Sequence, residues 1–311
     1  VAVFLCLQLS SETKGQVIMI ATDTPQILLD HVDARTVVAN GGDFSDRNAL
    51  VTLDPDHPGF RDPEYRKRRN TIAEIAKSYQ RGDEIAPAPY TDQEHEVWKT
   101  IWSVLKPAQQ AHACAEYLEC IDLLDFDTNR IPQLNEVSQK VEVLSGFRLE
   151  PVAGLVEPRV FLESLANGVF LSTQYIRHHS TPLYTPEPDV VHEIIGHAGT
   201  LASPRLARLN RMFGEAVRRA QSAEQMDQLA RIYWFTIEFG VLRENGEVKA
   251  YGTGLLSSAG ELEEMHEAEL LPLDLEVAAH QEYDPTHYQA VLFCAESFDQ
   301  MEEVLTDYLT S

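Results

Sequence analysis

Two histidines and a glutamate carry the first sign of chemistry in this chain. The stretch His192-Glu193-Ile194-Ile195-Gly196-His197 nearly spells the H-E-x-x-H string of zinc peptidases, but one residue too many separates its histidines. On a regular α-helix, positions i and i+4 lie about 40° apart and can chelate one ion, whereas i and i+5 lie about 140° apart. His192 and His197 can therefore meet at one metal only where the helix ends or distorts between them. Gly196 supplies a weak point for that, and Pro186 and Pro188 mark the helix start upstream. Spacing alone leaves three readings open: a loosely written zinc peptidase, another metal site, or two structural histidines on one helix.

A third ligand separates the last two. Glu238 lies in "RIYWFTIEFG" (231–240), a largely apolar and aromatic run that ends in glycine. An ionised carboxylate in such surroundings is costly unless it meets a buried arginine or a metal. Two imidazoles and one carboxylate leave three positions of an octahedral ion open, the facial arrangement that suits non-haem Fe(II) handling oxygen beside a substrate.

The elements that must position these groups are mostly helical. Thr91-x-x-Glu94 reads as a capping box. Val97, Trp98, Ile101, Trp102 and Leu105 follow at helical spacing and read as core, and Pro107 is expected to open a separate helix through "AQQAHACAEYLECIDLL". Further helices are expected over 133–144, 159–166, 187–197, 204–220, 223–239 and 298–309. Strand signals are few: "VFLSTQYI", an Asn245-Gly246 hairpin between "FGVLRE" and "EVKAYG", and "YQAVLF". The fold class is mainly α with minor β. Residues 1–45 read as an N-terminal extension of unassigned role, with a buried strand in "VAVFLCLQLS" and a turn at "GGDF" (41–44), and 46–311 as one catalytic domain.

Composition narrows the partners. A net charge of −24, from 25 Lys+Arg against 49 Asp+Glu, argues against nucleic acid, since no cation excess is present to displace counterions from phosphates. The opening apolar run is about ten residues long without a basic flank, too short to span a bilayer and a poor signal peptide, so no membrane partner is expected. Four cysteines without C-x-x-C spacing fit a reducing cytoplasm.

At this point the chain resembles a known family, the biopterin-dependent aromatic amino acid hydroxylases. The resemblance runs from "DPDHPGFRDPEYRKRR" (54–69) through "IPQLNEVSQ", "GFRLEPVAGL", "STQYIRHHSTPLYTPEPDVVHEIIGH", "YWFTIEFG" and "YGTGLLSSAGEL" to "AESF". It implies iron held by His192, His197 and Glu238, with tetrahydrobiopterin or a related tetrahydropterin as electron donor and O2 as co-substrate. It implies a pterin stacked on Phe161 and meeting the backbone of Gly154, Leu155 and Val156. Glu193 matches an acidic residue facing pterin and iron-bound water, and Tyr233 joins it in the implied catalytic set. For a small aromatic amino acid substrate the matching residues are Arg177, Thr185, Trp234, Gly254, Ser257 and Ser258. Arg177 suits an α-carboxylate by its planar fork, with Asp189 as its orienting partner. His178 and His179 are left as surface or supporting groups.

The reaction implied is ring hydroxylation, phenylalanine to tyrosine first. Hydroxylation of tryptophan or of another ring carbon is the alternative, and a catalytically silent aromatic amino acid-binding protein the rival from another class. Two departures bear on specificity: "AGTL" after His197, where the family carries a proline-containing segment, and Cys294, where its subgroups carry Val, Asp or Ile. With no regulatory domain in 1–45 and no heptad helix after "DYLTS", a bacterial-type, single-domain monomer is expected.

Overall fold

The computed structural model describes residues 53–311. The extension, its strand and the "GGDF" turn lie outside the described residues. Helix α1 (Pro63–Ser78) opens on Asp62, whose side chain caps the amides of Glu64 and Tyr65. In α2 (Asp92–His112) the Thr91–Glu94 capping box is present and Val97, Trp98, Ile101, Trp102 and Leu105 are buried. Pro107 lies inside α2 rather than opening a new helix. Pro107 and Ser103, whose carbonyl loses its amide partner to the proline, both lie on the exposed face. The break comes instead at Ala113 and Cys114, before α3 (Ala115–Leu124).

Helix α4 (Leu134–Ser145) ends on Gly146 in the left-handed conformation and leads into β1 (Arg148–Pro151). After α5 (Pro158–Leu165), β2 (Val169–Ser172) pairs with β1 in parallel. The expected strand "VFLSTQYI" thus keeps only its first four residues. β1 itself was not expected, because four residues ending in proline give no alternation to read. The short α6 (Gly199–Leu201) precedes α7 (Pro204–Arg219) and α8 (Ala223–Tyr233).

Strands β3 (Val241–Glu244) and β4 (Glu247–Ala250) form the expected hairpin, with positive φ at Asn245 (53°) and Gly246 (85°) closing a two-residue turn. Beyond α9 (Thr253–Leu256) and α10 (Ala259–Glu264) comes β5 (Glu269–Pro272), a second strand too short to read from sequence. α11 (Leu275–Ala278), β6 (Val291–Ala295) and α12 (Phe298–Thr310) complete the chain, and the four-stranded sheet has the order β4-β3-β6-β5. One large apolar cluster joins Trp98, Phe161, Phe213, Trp234, Phe239 and Phe293, so the fold is mainly α with minor β around a single core.

The main departure from the expected helices lies where the chemistry was sought. The helix expected from 187 begins at Val190, with Asp189 accepting from the His192 amide, and over His192–Ala198 it widens into a π-helix. A second π-helical segment, Trp234–Glu238, replaces the end of the expected 223–239 helix.

Candidate active site

The two π-helical segments resolve the spacing problem. Hydrogen bonds that close i→i+5 widen the turn, so residues five apart come onto one face as residues four apart do on an α-helix. His192 and His197 are thus brought together, their ring centroids 4.7 Å apart and their planes perpendicular. The widening has structural causes beyond the sequence string. Gly196 lies against the Thr253 carbonyl so closely that a Cβ there would sit 2.8 Å from it. Tyr117 Oη donates to the Ile195 carbonyl at 3.0 Å and itself accepts from Gln109 Nε2, fixing the segment from the α2–α3 side.

Glu238 ends the second π-helical segment and faces the histidines. Its Oε1 lies 3.1 Å from His197 Nε2 and its Oε2 3.7 Å from His192 Nε2, and all three residues are buried. One ligand atom from each lies within 4.8 Å of the others. Outer partners orient them. His192 Nδ1 lies 3.0 Å from Ser257 Oγ, which spends its own proton on the Thr253 carbonyl at 2.8 Å. Nδ1 is therefore the protonated nitrogen, and Nε2 presents its lone pair to the cluster. Thr253 Oγ1 donates to Glu238 Oε2 at 2.7 Å. Burial pushes Glu238 up, but the His197 and His192 imidazoles and the Thr253 hydroxyl outweigh it and hold the carboxyl at about 2. Burial, reinforced by His197, pulls His192 down to about 3, so its imidazole is neutral.

This donor set fits an iron ion. His192 Nε2 and Glu238 Oε1 are buried without a hydrogen-bond partner, a costly state that a divalent ion relieves. Two imidazole nitrogens and one carboxylate match Fe(II) better than the thiolate-rich sets of structural zinc.

Glu193, the neighbour of the first ligand, is 3% exposed and accepts from both the amide and the hydroxyl of Thr173, at 3.3 and 3.1 Å. Burial raises its pKa to about 8, against the opposing Thr173 bonds, so it holds a proton at neutral pH. Phe161 is buried beside His197, with ring centroids 6.5 Å apart, and also meets Phe170 and Tyr233 edge-on. Gly154, Leu155 and Val156 form the loop between β1 and α5. Tyr233 packs between Phe161 and Phe213 and bonds Asn210 Oδ1 at 3.1 Å.

On the substrate side, Arg177 is buried and grips Asp189 through Nε and Nη2, both at 2.8 Å, while its amide adds a 2.7 Å bond to the same carboxylate. The orienting partner is therefore as expected. The grip also spends one edge of the guanidinium, so a substrate carboxylate would have to meet the Nη1–Nη2 end. Burial raises Asp189, but Arg177 overcomes it and keeps the carboxyl ionised. Thr185 Oγ1 is turned onto the Glu187 carbonyl at 2.8 Å. Ser258 serves as N-cap of α10, accepting from the Glu261 amide, and Ser257 is the His192 partner already described. Gly254 lies 3.0 Å, by its would-be Cβ, from the Glu238 carbonyl, too close for a larger residue.

Trp234, four residues before Glu238 in the same π-helical segment, is fully buried. It stacks on Tyr283 at 4.3 Å, tilts over Phe239 at 4.6 Å, and donates Nε1–H to Gln289 at 2.9 Å. Of the two departures, Ala198–Leu201 is buried against Tyr117, and Cys294 is a buried free thiol on β6 opposite Val241.

Two buried groups escaped the sequence reading. Arg69, 2% exposed, donates to Glu187 Oε1 at 2.7 Å and lies over the Tyr175 ring, and His57 reaches the same oxygen at 3.3 Å. The residues are 118 positions apart, and in sequence Arg69 is one cation of the basic run 66–69.

A fold built on two π-helical segments that converge on a two-histidine, one-carboxylate cluster defines a mononuclear metal enzyme class. Residues 47–311 match the model of the biopterin-dependent aromatic amino acid hydroxylases, and the chain belongs to that family. It is 46% identical over 257 residues to the phenylalanine-4-hydroxylase of Rattus norvegicus, covering 81% of this chain and 56% of the relative. It is 47% identical over 264 residues to the tyrosine 3-monooxygenase of Homo sapiens, covering 82% of this chain and 49% of that one. The chain thus spans about half the length of these curated relatives. Among solved structures, phenylalanine hydroxylase of Chromobacterium violaceum with bound iron(III) and 7,8-dihydrobiopterin aligns with a TM-score of 0.70 at 27% identity, over 84% of this chain and 92% of that one. The enzyme from Legionella pneumophila aligns at 0.68 and 29%, over 74% and 90%. Among the described residues no helix is long and apolar enough to cross a membrane.

Proposed function

We propose that residues 46–311 form the catalytic domain of a monooxygenase that uses non-haem Fe(II), a tetrahydropterin and O2 to hydroxylate the ring of an aromatic amino acid, phenylalanine to tyrosine. The observation that carries the proposal is the pair of buried, unpartnered ligand atoms, His192 Nε2 and Glu238 Oε1, beside His197. His192, His197 and Glu238 would hold the iron, which together with the pterin supplies the oxygen-activating redox chemistry.

The chain's own share is positioning and proton management. Arg177, locked by Asp189, presents its outer guanidinium edge to the substrate carboxylate. Phe161 offers a flat apolar face beside His197, and buried Phe170, Tyr233 and Trp234 keep water out. Glu193 keeps a proton on a carboxyl held by Thr173, next to the ligand His192. Three described cysteines are free buried thiols, which supports a reducing cytoplasm, and the −24 charge, repelling copies, supports a monomer.

The test is anaerobic loading with Fe(II), tetrahydropterin and phenylalanine, then air and product analysis. Tyrosine is the expected product. A different hydroxyphenylalanine, or hydroxylated tryptophan formed in preference, supports the alternative substrates, and iron binding without any product supports the silent binding protein.

A further inference from the structure

Besides the iron cluster, one other group of described side chains has metal-ligand geometry, and the hydroxylase reading does not use it. Asp62, His178 and His179 each place a ligand atom within 4.8 Å of the others. We propose that they form a second, solvent-accessible metal site for a borderline divalent cation such as Zn2+ or Co2+, on the wall of the cavity that Arg177 also lines.

The site is built rather than incidental. As N-cap of α1, Asp62 commits Oδ1 to the amides of Glu64 and Tyr65 at 2.9 and 3.1 Å, which aims Oδ2 at His178 Nε2, 3.2 Å away. The His178 ring is 6% exposed and is held on its far side by Ser180, whose Oγ lies 2.7 Å and amide 3.2 Å from Nδ1. The Tyr65 ring closes on it edge-on at 5.0 Å. His179 tilts over His178 with centroids 4.2 Å apart, adding an exposed imidazole to a carboxylate and an imidazole already fixed.

The surrounding charge favours a cation. The cavity, about 250 Å³, is lined by Asp62, Glu64, Arg68, Glu94, Arg177 and His179, among others. Arg68 is neutralised by a two-point pair with Glu94, and Arg177 by Asp189. Asp62 and Glu64 remain as the surplus negative charge. Two imidazoles and one carboxylate fill three corners of a tetrahedron, and the fourth faces the cavity, where water completes the shell. Binding requires the His178 Nε2 proton to leave for solvent and Nδ1 to take one up. Ser180 Oγ then accepts at Nδ1, at the expense of the weaker contact from the Ser180 amide, and the imidazole stays neutral throughout.

Cobalt titration of the metal-free full-length chain, read by absorption and elemental analysis, tests this. Wild type is expected to bind two Co2+, His179→Ala one, His197→Ala one, and the double variant none, with far-UV circular dichroism confirming that each is folded. Asp62→Asn, which keeps the cap but loses the charge, should weaken the second ion by about tenfold or more, the scale of losing one anchoring partner. Because His179 is exposed and outside the iron cluster, His179→Ala should leave turnover unchanged. A single Co2+ on wild type, or two on His179→Ala, overturns the proposal.

Discussion

Glu187, half-buried, and Glu238, fully buried, are carboxyls both held at about 2, yet by different means. For Glu187, burial is outweighed by Arg69, a cation that never deprotonates, with help from His57. For Glu238, burial is outweighed by two imidazoles and a threonine hydroxyl. A guanidinium fills the lone pairs it meets and makes Glu187 part of the architecture, tying α1 to the loop before His192. A neutral imidazole such as that of His192 leaves its lone pair to a metal, and Glu238 Oε1 stays without a hydrogen-bond partner beside it. Glu261 shows the third case, a carboxyl 2% exposed with Oε1 unpartnered and no ion pair among the described residues, which burial pushes up to about 8.

The largest expected effect tests the metal side of that comparison. His197→Ala should abolish bound iron and turnover, well beyond the roughly 10–100-fold that loss of an outer partner costs. Ser257→Ala, which removes only the orienting partner of His192, should fall within that range. Elemental analysis and turnover decide it, and full activity in iron-free His197→Ala would remove the basis for the proposed function.

Next comes the architectural pair. Glu187→Ala leaves Arg69 buried without its carboxylate and should cost about 3–5 kcal/mol in urea unfolding. Because the folded pKa of Glu187 is depressed, its contribution is complete above the ordinary carboxyl value of 4.5 and fades as pH falls toward about 2. The deficit of the variant should therefore shrink on acidification. A constant deficit from neutral pH to acid would show that packing rather than charge is lost.

Glu261 should run the other way. Its folded pKa is raised, so between 4.5 and about 8 the folded chain keeps a proton that the unfolded chain releases, and stability falls as pH rises. From about pH 6 to about pH 8 this amounts to ~2–3 kcal/mol, which Glu261→Gln should abolish. Unfolding at the two pH values measures the slope; an unchanged slope in the variant means that Glu261 ionises freely.

These carboxyls also show what the sequence could and could not say. Glu238 was legible because an acid inside "YWFTIEFG" has few cheap explanations. Arg69–Glu187 was not, because nothing local distinguishes Arg69 from its neighbours in a basic run. The capping box at Thr91, the hairpin at Asn245-Gly246 and the buried stripe of α2 depend on neighbours within a few residues and could be read directly. The π-helical turns could not: the i, i+5 spacing of His192 and His197 asked for a distortion, but its form depends on Thr253 and Tyr117, each more than fifty positions away.

Trp234 carries the smallest expected effect, on substrate choice. Trp234 is wedged between Tyr283 and Phe239 with its indole bonded to Gln289, and its bulk is expected to narrow the space beside Glu238. If that space admits one aromatic ring but not an indole, the wild type prefers phenylalanine to tryptophan. Trp234→Phe should then shift the ratio of kcat/KM values toward tryptophan by ~1–3 kcal/mol, the range for an apolar pocket change. The same substitution deletes the indole N–H and leaves Gln289 without that donor, so a stability loss is expected whatever the pocket does. Gln289→Met separates the two effects, since it breaks the bond while keeping the indole. Selectivity that moves in Trp234→Phe but not in Gln289→Met assigns Trp234 to the pocket wall, whereas a loss of stability with an unchanged ratio in both makes it core alone.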